Sequence, residues 1–350
     1  MDNTALRMKL DAHTREGELY TREVGGWAHC VACGHRCRIP PGRDGICKVR
    51  SNVNGTLMVP FGYTAGMAVD PVEKKPFFHV LPGRSALSFG MLGCDYHCGY
   101  CQNWITSQAL RDPEAIAGME EISPEAIVSY ATARGIPIIT STYNEPLITS
   151  EWAAAIFRAA KPHGLRCSFV SNGNGTPEVL GYLGPLLDMY KVDLKSFRPE
   201  RYRQLGGRLD TVLETIASLH RRGIWIEVVT LVVPGFNDSQ EELTDIARFL
   251  VSVSPALPWH VTAFHQDYKM AETDPTSSQA LIRAAETGRR EGLWFVYAGN
   301  LPESVGSWQD TRCPHCEETL IKRSGFSILR NSLAGGACPS CRTPIPGIWE

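Results

Sequence analysis

The chain has 350 residues, enough for one large domain with attachments or two to three ordinary ones of ~100–200 residues each. Hydrophobic residues at 43% and charged residues at 21% are globular proportions, and 32 Gly with 23 Pro exclude collagen and low-complexity disorder. Thirty-five Lys and Arg against 37 Asp and Glu leave a net charge of −2, so there is no overall basic field to drive nucleic-acid or anionic-membrane binding.

The opening segment MDNTALRMKLDAHTREGELY has no apolar signal core. The most apolar run, residues 224–233, is interrupted by Glu227 and stopped by Pro234, far short of a ~20-residue membrane span. A cytoplasmic protein with no membrane association is expected. Twelve cysteines in a reducing compartment then point to metal ligation or catalysis rather than disulfides.

In chain order, the first feature is a four-thiolate set, Cys30, Cys33, Cys37 and Cys47, with His29 and His35 beside it and glycines that suit a tightly turned loop. Zinc is the plain reading and a second Fe–S cluster the sharper one. Residues 1–83 are read as an N-terminal Cys-rich metal-binding region. Glu73-Lys74-Lys75, near its end, reads either as a lid or substrate contact or as a solvated charge run.

From residue 84 to 301, apolar runs alternate with helical patterns. Strands are expected at 86–91, 136–142, 166–170, 189–194, 225–232, 260–264 and 293–298, and helices at 124–134, 149–163, 177–187, 210–222, 240–252 and 277–291. Ser123 as N-cap, Pro124 in the first turn and Gly135 as a stop fix the first helix. Six or seven strand–helix units make an α/β fold with a parallel sheet, and suit an incomplete (β/α) barrel better than a doubly wound sheet. Cys167, inside an apolar run, reads as a buried thiol. Polar residues follow nearly every strand: Cys94, then Asn144 and Glu145, Ser171 and Asn172, Asp193 and Lys195, Asn237 and Asp238, His265, and Asn300. In a barrel those ends open on one face, where barrel enzymes carry their sites.

Cys94-Asp-Tyr-His-Cys98-Gly-Tyr-Cys101 puts three thiolates in one loop after the first of these strands. A closed zinc or fully ligated Fe–S site takes four protein ligands, whereas three on a four-iron cluster leave one iron open. At the end of the chain, Cys313-Pro-His-Cys316 and Cys338-Pro-Ser-Cys341 are two knuckles of a zinc-ribbon-like module, residues 302–350, with a hairpin between them over 319–333. Zinc is the expected metal and rubredoxin-like iron the alternative.

The CxxxCx(aromatic)C loop resembles the signature of the radical S-adenosylmethionine (SAM) enzymes, and the strand ends resemble the pyruvate formate-lyase activating enzyme. The resemblance implies that Cys94, Cys98 and Cys101 hold a [4Fe–4S] cluster that binds SAM, with the backbone of Tyr100 near the adenine. It implies contact of Asn144 and Glu145 with the methionine amino group, of Asp193 and Lys195 with the carboxylate and ribose, and of His265 with the ribose. Ser171 and Asn172 join this pocket as short polar partners. Tyr143 and Asn144 stand where such enzymes have paired glycines, a departure beside the methionine. No catalytic residue is assigned beyond the cluster.

With the flanking cysteines, Asp70-Pro-Val-Glu-Lys-Lys-Pro76 and Cys101-Gln-Asn103, nearly the whole chain resembles the radical SAM enzyme of the AmmeMemoRadiSam system. That implies association with AMMECR1-like and Memo-like proteins and a one-electron donor such as flavodoxin or ferredoxin. Glycyl-radical activation of a partner protein is the first expected activity, and radical modification of a peptide, RNA or small molecule the second. The non-enzymatic reading is a multi-zinc binding protein with Arg323, Arg330 and Arg342 as phosphate contacts.

Overall fold

The computed structural model describes residues 3–301 and 304–350, so the expected module boundary at 302 lies outside the described residues. Its centre is an eight-stranded sheet of β1 (Gly66–Pro71), β2 (Ser85–Gly90), β3 (Ile138–Ser141), β4 (Arg166–Ser171), β5 (Met189–Asp193), β6 (Trp225–Val232), β7 (Trp259–Ala263) and β8 (Val296–Gly299). Each strand pairs with its neighbour in sequence, and every pair from β2 to β8 is parallel. Parallel neighbours need crossovers. These run through α1 (Pro124–Ala133), α2 (Ser150–Ala160), α3 (Pro177–Leu183), α4 (Pro199–Leu205), α5 (Leu209–Arg221), α6 (Gln240–Val253) and α7 (Ser278–Arg290). Strand order never reverses, so right-handed crossovers carry the helices to one face and all parallel C-terminal ends to one rim. β1 and β8 are open edges.

The local causes are those expected. β3 is buried along its whole length, as a strand between two parallel neighbours should be. The Ser123 hydroxyl accepts the Ala126 N–H at 3.2 Å, and Gly135 ends the helix at φ 63°. Ser239 and Ser277 cap α6 and α7 in the same way. The Cys167 thiol is buried in β4.

Before the sheet come a helix, Asn3–Ala12, and two small antiparallel sheets, one carrying Trp27–Cys30 and the other Thr56–Pro60. Arg50 ties this region to the helical wall, because its buried guanidinium pairs with Glu151 of α2 and donates to Ile148 O at 2.8 Å. Removing one partner of such a buried pair costs ~3–5 kcal/mol, since the other charge is left unpaired.

The Glu73-Lys74-Lys75 stretch is not a solvated run as a whole, because only Lys74 is exposed. β1 pairs antiparallel with β2 and folds the stretch against the sheet. Glu73 is buried and accepts the Gly83 N–H at 2.8 Å, and buried Lys75 donates to Asp70 at 2.9 Å and to the Tyr143 hydroxyl at 3.2 Å.

The C-terminal segment forms a three-stranded sheet of Thr311–Arg312, Thr319–Ser324 and Ser327–Asn331, the last two being the expected hairpin. Its core is shared with the main sheet: Phe78, Phe295 and Tyr297 pack with Cys313, Leu320, Ile321 and Cys338. Arg323 is buried there, donating to Phe78 O at 2.8 Å and to the Thr311 hydroxyl at 2.7 Å. It is therefore unavailable as a phosphate contact, and Arg330 turns back on Thr319 O at 3.1 Å. Beneath lies a buried carboxylate, Glu227 of β6, which accepts the N–H groups of Phe78 (2.9 Å) and His79 (2.8 Å) and a bond from the His260 ring (2.6 Å). Among the described residues no helix is long and apolar enough to cross a membrane.

Candidate active site and metal centres

The three-cysteine loop leaves the C-terminal end of β2 through Gly93, at φ 91°. A Cβ at 93 would lie 2.8 Å from Val49 and 3.1 Å from Cys47 O, so glycine is needed for both conformation and space. Hydrogens are directed at the sulfurs. The Tyr96 N–H donates to Cys94 Sγ at 3.4 Å, and the Ser107 hydroxyl lies 3.3 Å from Cys101 Sγ. Burial raises all three thiols, that of Cys98 to about 12 against the pull of Lys195, and that of Cys94 further under the charge of Asp95. Buried thiols of this kind give up their protons when a metal supplies the compensating charge.

Two walls flank the loop. On one, Glu145 at the end of β3 is buried, with Oε1 accepting the Ser171 hydroxyl at 2.6 Å and the Leu147 N–H at 3.1 Å, and Oε2 accepting the Asn172 N–H at 2.7 Å. Burial and the charge of Asp95 push its carboxyl up to about 8. Asn144 is turned to the backbone, accepting the Met91 N–H at 3.0 Å. On the other wall, Asp193 sits between two lysines, Lys195 at 3.3 Å and Lys191 closer still. Burial opposes both charges, but Lys191 and Lys195 hold Asp193 low, while Asp193 and Cys98 hold Lys195 well above its ordinary range. Tyr100 is buried with its ring edge-on to Phe236, centroids 5.8 Å apart. His265 is exposed at the rim and accepts the Gln102 amide at 2.7 Å. Asn237 is used up by the fold, donating to Lys195 O and Leu231 O.

Three neighbours of the site, Lys191, Asp95 and Gln102, were given no role in the sequence reading, and a fourth, Tyr143, is the departure expected beside the methionine. Lys191 lies mid-strand, two residues from Asp193 and so on the same face of β5; that period was a usable signal. Asp95, inside the cysteine motif, is fully buried and accepts the side-chain amides of Asn172 and Asn174, each at 2.8 Å. Gln102 is the partner of His265. Tyr143 holds φ 69° without a glycine, its carbonyl accepting the Thr106 hydroxyl at 3.0 Å.

The donor set fits the groups it was expected to hold. Three thiols with N–H and O–H donors aimed at them suit an iron–sulfur cluster. Among the described residues, no lysine or arginine is hydrogen-bonded to Asp95 or Glu145, so that wall is acidic and a cation bound there would draw Glu145 back to its carboxylate, whereas Lys191 and Lys195 outnumber Asp193 on the other. A zwitterion bearing an ammonium and a carboxylate complements that division.

The C-terminal cysteines form a separate centre. Cys313 and Cys341 Sγ are 3.5 Å apart, Cys316 and Cys338 Sγ 3.6 Å, and all four lie within 4.8 Å of one another. Each knuckle ends in a left-handed residue, Glu317 at φ 59° and Arg342 at φ 64°. Hydrogen bonds from the side chain and backbone of Thr343 lower the Cys341 thiol to about 6. Four thiols so placed can hold one tetrahedral metal ion.

Comparison with known proteins bears on the same residues. Residues 90–250 match the model of the radical SAM superfamily. An uncharacterised protein of Methanocaldococcus jannaschii is 34% identical over 335 residues, covering 95% of this chain and 98% of that protein. The pyruvate formate-lyase-activating enzyme of Staphylococcus epidermidis is 25% identical over 226 residues, covering 58% of this chain and 88% of that one. The GTP 3′,8-cyclase of Aquifex aeolicus is 27% identical over 175 residues, which cover 47% of this chain and 52% of that enzyme. The matched stretch starts at the last residue of β2 and contains the three-cysteine loop, both walls and the strands that carry them. Residues 90–250 are a radical SAM domain, and the chain is a radical SAM enzyme similar to the activating enzymes.

Proposed function

We propose that the chain reductively cleaves SAM at a [4Fe–4S] cluster on Cys94, Cys98 and Cys101 and uses the radical to abstract hydrogen from a partner protein, as in glycyl-radical activation. The observation that carries the reading is the convergence of an open three-thiol loop with an anionic and a cationic wall at the C-terminal ends of β2 to β5. When bound, cluster and SAM supply a 5′-deoxyadenosyl radical and methionine by one-electron cleavage of the sulfonium carbon–sulfur bond.

The residues of the chain bind, orient and shield. Glu145 receives the methionine ammonium, held in place by Ser171 and Asn172. Lys195 faces the carboxylate, while Asp193 and His265, after β5 and β7, offer acceptors for ribose hydroxyls, and the backbone at Tyr100 borders the adenine. Burial of Asp95, Glu145, Tyr100 and Lys191 keeps water from the site. A zinc ion on Cys313, Cys316, Cys338 and Cys341 stabilises the C-terminal module. A flavodoxin- or ferredoxin-type donor, AMMECR1-like and Memo-like partner proteins and a cytoplasmic setting for twelve free thiols complete the reading.

The test is anaerobic incubation of the reconstituted enzyme with SAM, reductant and each candidate partner, followed by mass spectrometry and electron paramagnetic resonance. A protein-bound radical or mass change that needs both SAM and enzyme is expected. Formation of 5′-deoxyadenosine driven by an RNA or small molecule, with every protein unchanged, refutes the partner-protein activity.

A further inference from the structure

Cys30, Cys33, Cys37 and Cys47 have no part in the chemistry above, yet the fold builds them against it. Three are buried and Cys37 is partly so. The Cys30 N–H donates to Cys37 O at 2.9 Å and the Arg36 N–H to Cys33 O at 3.0 Å, which closes the loop on itself. A donor points at one of the sulfurs, Arg50 Nη1 lying 3.7 Å from Cys30 Sγ. Thiolates in a ligand set are supported by such bonds.

The spacing separates two kinds of centre. A tetrahedral ion with metal–sulfur bonds of ~2.3 Å holds its sulfurs ~3.8 Å apart. The C-terminal four meet that description. Among the described residues the C-terminal four are grouped for a single ion, whereas neither the N-terminal four nor Cys94, Cys98 and Cys101 form such a group. A four-iron cube spreads its outer sulfurs more widely than a single ion does. The N-terminal set thus shares with the three-cysteine loop the lack of a single-ion grouping.

Its position supplies the second argument. The buried Asp95 carboxylate joins the two loops, its Oδ1 lying 3.7 Å from Cys94 Sγ. Its Oδ2 is 4.0 Å from His35 Nε2, and Asn174, which donates to it, accepts the Gly34 N–H at 2.8 Å through its own carbonyl. A Cβ at 34 would lie 2.3 Å from Asn174 Oδ1, so backbone and amide touch without a side chain between them. Gly93 makes the matching approach to Cys47.

We propose that Cys30, Cys33, Cys37 and Cys47 hold a second iron–sulfur cluster, which takes one electron from a low-potential protein donor and passes it to the three-cysteine centre. The donor is oxidised by one electron, the second cluster is reduced and then reoxidised, and no bond forms or breaks. The proposal rests on the reading of residues 94–101 as an iron–sulfur site.

Iron, sulfide and zinc counts after anaerobic reconstitution test it. Wild type should hold about eight iron and eight sulfide per chain, with one zinc at most. Cys33→Ala with Cys37→Ala should lose about half the iron, and Cys94→Ala with Cys98→Ala and Cys101→Ala the other half. About four iron and two zinc in wild type overturns the second cluster without recourse to any variant. If the N-terminal substitutions leave iron unchanged, this proposal fails; if the central ones do, the reading beneath it fails. For the relay, reduction of the three-cysteine cluster is followed by its paramagnetic signal. The N-terminal variant should be reduced by flavodoxin at least tenfold more slowly than wild type, yet still fully by dithionite. Equal flavodoxin rates overturn the electron path.

Discussion

The Ser171 hydroxyl donates a 2.6 Å hydrogen bond to Glu145 Oε1, joining the end of β4 to the end of β3 across one buried carboxylate. With the Asn172 N–H on Oε2, this fixes the carboxylate where an ammonium is expected. Losing one charge-assisted contact in so dry a place costs ~1.5–3 kcal/mol, roughly ten- to a hundredfold in affinity. Glu145→Gln and Lys195→Ala should each weaken SAM binding by that factor while keeping the iron of the central cluster. SAM titration of the reconstituted cluster, read by its spectral response, measures both. Affinities within twofold of wild type for both variants contradict the pocket.

Cys338→Ser should lose the C-terminal metal and, because Cys313 and Cys338 share a core with Phe295 and Tyr297, loosen more than the ribbon. A loss of ~2 kcal/mol corresponds to roughly 3 °C in Tm for a 350-residue chain that unfolds as one unit. Calorimetry with metal analysis checks this, and the central iron count should not change. A fall in central iron would make the ribbon part of the redox machinery instead of a structural clamp.

The network under the sheet predicts acid sensitivity. Burial lowers the His79 ring from 6.5 to about 4, against the pull of Glu227, so the unfolded chain binds a proton below pH 6.5 that the folded chain refuses until about pH 4. Unfolding in that window takes up a proton, and stability therefore falls with pH, by ~2 kcal/mol between 6.5 and 5. Glu227, buried but held low chiefly by His260, acts in the same direction at lower pH. Urea melts at pH 7, 6 and 5 should show this loss in wild type and a much flatter response in His79→Gln. Parallel slopes for the two proteins contradict the assignment to His79.

The parallel strands were legible in the sequence because strands buried on both faces read as short apolar runs between helical patterns. β1 was not, since the half-exposed Gly66-Met-Ala-Val-Asp-Pro71 carries a glycine and a proline at an edge. That the candidate residues stand at strand ends was legible from type and position. Asp95 was not, because its partners lie 77 and 79 residues away and only folding brings Asn172 and Asn174 to it. Glu73 and Lys75 misled for the same reason: a charge run looks solvated until Gly83, Asp70 and Tyr143 supply buried partners.

The most direct test of radical SAM chemistry at the three-cysteine loop is 5′-deoxyadenosine production by the anaerobically reconstituted enzyme, with SAM and dithionite, in wild type and Cys98→Ala. Cys98 is the buried thiol facing Lys195, and two remaining thiolates cannot hold four irons securely. Wild type should form 5′-deoxyadenosine and methionine in equal amounts, and the variant should form neither and lose the central cluster's absorption. Unchanged 5′-deoxyadenosine formation by Cys98→Ala would contradict the account.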